Sequence, residues 1–204
     1  MKKSIMVLCT IILMITLCSC GTKDGHGAYK EIHKRYADLK SYFAATTVTL
    51  HNKTGENVYY VRQFFKEPDK YSLVVDSPES ISGSGYTVGD GTIIMKSGFG
   101  HSKEFPATLV RHKGSVCVRD FFEEYYKSEE SFAETSGSVM TSETRLDCYI
   151  SGRDEERFLQ SLWIDNKTYL PTKMITYDIN ENHAVTVEFT DFIRNSDIDE
   201  KIFE

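Results

Sequence analysis

The chain has 204 residues, with 24 Lys and Arg against 30 Asp and Glu, and a formal net charge of −6. An acidic surface neither tracks a phosphate backbone nor is held on an anionic bilayer by charge, so nucleic-acid binding and purely electrostatic membrane binding are excluded. The length and an apolar content of 40% suit one domain with a sizeable core.

The first twenty residues read as a targeting segment. Lys2 and Lys3 precede an apolar run, Ile5 to Leu17, broken only by Thr10 and Thr16. The run is too short for a good membrane span, and small residues follow it. Leu17-Cys18-Ser19-Cys20 has the spacing of a bacterial lipobox, in which the last Cys becomes the mature N-terminus. Cys18 is the poorer candidate because the large Leu17 precedes it directly. The competing reading is an ordinary signal peptide with incidental cysteines. The expected organisation is a signal peptide over 1–19, a lipidated tether over 20–27 and a folded domain over 28–204. Acyl chains such as palmitate on Cys20 contribute about 0.8 kcal/mol per buried methylene, so two or three chains anchor stably. Cleavage leaves 22 basic residues against 30 acidic ones, a net −8. Cys117 and Cys148 then remain either as a disulfide or as two unpaired thiols.

Tyr29 to Phe43 reads as a helix, because Ile32, Tyr36, Leu39 and Phe43 recur at helical spacing. Two strands follow. Thr46 to His51 and Val58 to Phe65 alternate with a period of two around the loop Asn52-Lys53-Thr54-Gly55. A turn at Pro68-Asp69 leads into a third, Tyr71 to Asp76. Ser77 to Gly100 is dense in glycine, with short strands at Tyr86–Val88 and Thr92–Lys96. Its G-x-G-x-x-x-G spacing is followed by a strand rather than a helix, so it does not make a dinucleotide-binding loop, and Asp90-Gly91 is a hairpin turn instead. Val116 to Phe132 reads as a second helix, with Val118, Phe121, Phe122, Tyr125 and Tyr126 along one side. Ser136 to Thr144 reads as loop and Leu146 to Ser151 as strand.

The stretch Ser161 to Asp178 is the most informative. Leu162 and Ile164 point one way and Ser161, Trp163 and Asp165 the other. Asp165-Asn166-Lys167 supplies turn chemistry, and Pro171 opens the returning strand, where no ladder N–H is needed. Val185, Val187 and Phe189 alternate with Thr186, Glu188 and Thr190 in a third strand.

No catalytic or metal-binding constellation emerges. None of His26, His33, His51, His101, His112 and His183 has H-E-x-x-H or H-x-H spacing. Cys117 and Cys148 have no neighbouring His. Glu123-Glu124 and Asp154-Glu155-Glu156 sit among other charged residues, as solvated carboxylates do. Neither catalysis nor a cofactor is expected.

An apolar-Trp-Ile-Asp strand, a polar loop, Leu170-Pro171, a strand ending in Tyr177-Asp178, Val185-x-Val187-x-Phe189 and the closing Asn195, Ile198, Asp199 and Phe203 resemble LolA/LolB-type lipoprotein-sorting proteins. Lys66 to Tyr71, a Pro-containing turn into a strand, resembles the same family. The resemblance covers roughly Tyr42 to Phe203. It implies an α+β fold, an open antiparallel half-barrel with helices packed on the concave side, and it brings no catalytic residues. The whole chain also resembles clostridial spore-germination lipoproteins. That implies a non-enzymatic partner of a cortex-modifying N-acetylmuramoyl-L-alanine amidase, in the spore envelope membrane outside the cytoplasm, with a strand-exchanged homodimer in view. The alternative is a carrier that binds lipid or lipoprotein acyl chains in its concavity. Tyr59, Tyr60, Phe64 and Phe65 are expected to fill that concavity and weigh against the carrier.

Overall fold

The computed structural model describes residues 25–107, 116–136 and 142–204. Among them, eleven strands form one antiparallel sheet. They are β1 (Ser41–Asn52), β2 (Gly55–Lys66), β3 (Lys70–Ser77), β4 (Gly85–Gly89), β5 (Thr92–Lys96), β6 (Ser102–Pro106), β7 (Phe132–Ser136), β8 (Glu143–Tyr149), β9 (Leu159–Asp165), β10 (Pro171–Tyr177) and β11 (His183–Arg194). The spatial order is β6-β5-β4-β3-β2-β1-β11-β10-β9-β8-β7. Every neighbour is a hairpin partner except at the centre, where β1 pairs with β11. β6 and β7 do not pair with each other, so the barrel is open. Two helices, α1 (Gly25–Ala37) and α2 (Val118–Lys127), lie on one face. The expected α+β half-barrel is the fold observed.

Alternation explains which face the helices cover. Tyr42, Ala44, Thr46 and Val48 of β1, Val61, Gln63 and Phe65 of β2, and Leu162 and Ile164 of β9 are buried at every second position. Val187 and Phe192 continue this face on β11, where the register slips because Thr190 is an extra residue. The Thr190 hydroxyl donates to the Ala45 carbonyl at 2.9 Å. Such a bulge adds local twist and helps a wide sheet to curl. Gly85 serves a close approach: a Cβ there would run into the Leu73 carbonyl.

Three boundaries differ from the sequence reading. The first helix stops at Ala37, and Ser41 to Phe43 belong to β1, with Phe43 opposite Ile193 on one side and Phe64 on the other. Helical spacing and strand alternation overlap there, and pairing on both sides of a central strand decides. The second helix ends at Lys127, and Phe132 starts β7 opposite Asp147. The Ser/Thr-rich stretch read as loop contributes strand at both ends, Phe132–Ser136 and Glu143 onward.

Candidate functional site

The helix-covered face of the half-barrel is the natural place for a ligand, and side chains fill most of it. α2 buries Val118, Phe121, Phe122 and Tyr125, the predicted side, while Tyr126 is partly exposed. α1 contributes Ile32 and Tyr36. Tyr36 stacks on Phe122 with ring centroids 4.3 Å apart, and its hydroxyl donates to the Tyr169 carbonyl at 3.0 Å. Tyr42 stacks on both Phe65 and Phe192, at 5.6 and 5.0 Å. The backbone N–H of Val118 donates to the Tyr42 hydroxyl at 3.2 Å, which joins the start of α2 to β1. Among the described residues, an apolar groove of about 220 Å³ stays on this face, lined by Val48, Tyr59, Val61, Leu73, Val75, Ile81 and Val116.

The four aromatics expected to fill the concavity divide. Phe65 is buried and Tyr59 packs against the core, but Tyr60 is 55% exposed and Phe64 lies on the opposite face, against Phe43 at 5.3 Å. Neighbours on one strand cannot share a face. The filling comes instead from the helices and from Tyr42, Tyr71 and Phe192.

The polar groups on this face are structural. The Tyr71 hydroxyl donates to Gln63 Oε1 at 3.1 Å, and Gln63 Nε2 donates to Thr46 Oγ1 at 3.3 Å, so a buried amide is satisfied within the sheet. Cys117 and Cys148 are buried and not disulfide-bonded. Burial pushes the Cys117 thiol well above its ordinary range and that of Cys148 up to about 12, which keeps both protonated at neutral pH. On the opposite face, His51 contacts Glu56 at 3.1 Å and Thr186 at 3.0 Å and lies edge-on to His183 at 5.7 Å. Among the described residues, no three His, Cys, Asp or Glu side chains are placed to hold a metal. His112 and the lipidation candidate Cys20 lie outside the described residues.

Two surfaces stay open. The strand edges at β6 and β7 are short, and most of their side chains are exposed. The loops at the ends of the half-barrel carry isolated exposed apolar side chains, Phe99 above all. No described helix is long and apolar enough to cross a membrane. On the outer face, Glu200 of the C-terminal 3₁₀ turn (Glu200–Phe203) bridges Lys66 and Lys70 at 2.6 and 2.7 Å. Those two lysines, Lys66 first, hold its carboxyl at about 2.

Among the described residues, this geometry offers binding surfaces. Residues 113–203 match the family of sporulation proteins described as YdcC-like. No curated protein matches the chain in sequence. Among solved structures, the chain is similar to the GerS lipoprotein of Clostridioides difficile, seen in complex with the CwlD amidase, at 25% identity and a TM-score of 0.52, over 82% of this chain and 94% of the other. It is also similar to an uncharacterised conserved protein from Thermus thermophilus, at 9% identity and a TM-score of 0.56, over 88% and 91% of the two chains. A putative outer membrane lipoprotein-sorting protein domain from Vibrio parahaemolyticus matches at 13% identity and a TM-score of 0.49, over 86% and 94%. In the C. difficile complex the amidase is CwlD. This chain resembles the lipoprotein beside it.

Proposed function

We propose that the protein is a membrane-anchored lipoprotein of sporulating cells that binds and activates a cortex-modifying N-acetylmuramoyl-L-alanine amidase, a step needed for germination. The observation that carries this reading is the similarity to GerS, found with CwlD, over 82% of the chain. The sporulation family matched by residues 113–203 supports the cellular setting. Acyl chains on Cys20 hold the protein on the spore envelope membrane, outside the cytoplasm. The exposed edges β6 and β7 and the outer side of α2, with Glu123 and Lys127, are the docking faces. Edge-strand addition supplies main-chain hydrogen bonds, and side chains of one face supply specificity. The same edges allow a strand-exchanged homodimer. Activation follows if the lipoprotein binds the active conformation of the amidase preferentially, since that shifts its population.

The carrier is the second reading, and the apolar groove favours it. At about 220 Å³ the groove falls below the roughly 300–1,000 Å³ usual for ligand pockets, so an acyl chain needs α1 or α2 to move aside. Purified protein mixed with the amidase separates the readings. A shift in size-exclusion mass with raised turnover supports the partner role. An unshifted mass and unchanged turnover, with acyl chains extractable from the purified protein, supports the carrier.

A further inference from the structure

We infer that the loop end of the half-barrel carrying Phe99 seats on the lipid bilayer, with Phe99 entering the interface as a second contact beside the acylated Cys20. The inference rests on the anchoring reading above.

The orientation of α1 is the first support. Its last turn lies at one end of the barrel, where Tyr36 bonds the β9–β10 loop at Tyr169 and Arg194 donates to the Arg35 carbonyl at 3.3 Å. α1 runs antiparallel to α2: Tyr36 meets Phe122, and one turn earlier His33 meets Tyr126 at 4.7 Å. α2 in turn starts beside Tyr42, at the beginning of β1, and its Glu124 accepts from the Ser151 N–H at 3.0 Å, just past the end of β8. α1 therefore begins at the opposite end, that of the β8–β9, β10–β11 and β5–β6 loops. The five residues Cys20 to Asp24 span at most about 18 Å, so acyl chains on Cys20 keep this end close to the bilayer.

The loops themselves are the second support. Phe99 is 84% exposed at the tip of the β5–β6 hairpin. The tip is a built turn. The Ser97 N–H donates to the His101 carbonyl at 2.8 Å, the Gly98 N–H donates to Ser84 Oγ at 2.8 Å, and a Cβ on Gly98 would strike the Ser82 carbonyl. The loop thus holds a large apolar ring out into water, where it has nothing to pack on. Ile179, 51% exposed, occupies the β10–β11 loop at the same end. Lys96, His101 and Lys103 flank Phe99, with the Lys96 ammonium donating to the Glu204 carbonyl and Glu104 alongside, whereas Asp178, Glu181 and Glu155 surround Ile179. Of the two loops, that of Phe99 is the less acidic. Aromatic rings settle at the headgroup level, and an apolar side chain beside basic ones is the pattern of interfacial contact.

The chain has one tryptophan, Trp163, so a Trp163→Phe background gives a silent protein. Into it go Phe99→Trp or, as comparator, Ile193→Trp, which is 48% exposed at the far end of β11. The mature chain is tethered through Cys20 to maleimide lipid in phosphatidylethanolamine–phosphatidylglycerol vesicles with brominated acyl chains. Buried Cys117 and Cys148 do not compete. The expected result is a blue shift and bromine quenching for Phe99→Trp and neither for Ile193→Trp. Equal quenching at both positions, or none at position 99, overturns the proposal. So does a blue shift at position 99 that appears only on adding amidase, which marks a protein contact instead. Intact mass of the native protein reports acylation separately, so loss of the anchor reading is distinguishable from loss of this one.

Discussion

Tyr36 and Phe122 stack face to face, with ring centroids 4.3 Å apart and planes 15° from parallel, and by this contact α1 and α2 close the half-barrel together. Both rings are fully buried. Phe122→Ala should therefore cost about 3–5 kcal/mol, the usual range for a buried Phe truncated in a packed core. Tyr36→Phe keeps the stack and removes only the bond to Tyr169, so it should cost about 1 kcal/mol. Urea denaturation of the two variants checks both values and their order.

Trp163 and Ile164 are neighbours with opposite surroundings. Ile164 is fully buried beneath the helices, while Trp163 is half-buried on the outer face with Lys173 Nζ 4.4 Å from its ring. Ile164→Asp leaves an unpaired charge in the core and should destabilise by about 4 kcal/mol or more. Trp163→Ala loses a surface stack and should cost less than half of that. Equal melting temperatures for the pair would show the register to be wrong.

Glu200 provides a pH-dependent contact. Its folded carboxyl titrates near 2, below the ordinary 4.5, because Lys66 and Lys70 hold it. A depressed carboxylate favours the folded state above its unfolded value and loses that contribution as pH falls from 4.5 toward 2. Glu200→Gln should therefore melt below the wild type at pH 7, and the gap should close near pH 2. High salt should narrow it at neutral pH, since the pair is solvent-exposed.

Cys20→Ala should abolish acylation and leave Cys18 unmodified. Metabolic labelling with a fatty-acid analogue reads this directly, and label persisting in the variant would reassign the lipobox.

The sequence shows most clearly those strands that have one dry face and one wet face. Leu162 and Ile164 against Trp163, or Val61 and Phe65 against Tyr60 and Arg62, display the period because the two sides meet different surroundings. The edge strands lack that contrast. Ser102 to Glu104 and Phe132 to Thr135 are exposed at every position, so nothing in their pattern distinguishes strand from loop. Ser41 to Phe43 were obscured by a different conflict, a helical spacing running into a strand. The candidate surfaces were only partly legible. The helices could be recognised as cover for the sheet, but the apolar groove draws on β1, β2, β3 and Val116, which no local pattern connects. Phe99 was hidden among glycines that invited a question about phosphate instead.

The seam between β1 and β11 sets an order of events for the folding chain. Val48 must find Val187, and Tyr42 must find Arg194, so the centre of the sheet joins the two ends of the domain. Contacts this distant in sequence form slowly. Until β11 has docked, β1 keeps a bare edge in the middle of the future sheet, open to any other strand nearby. A chain interrupted before His183 would lose the strand that holds its two halves together and would be left as two separate meanders.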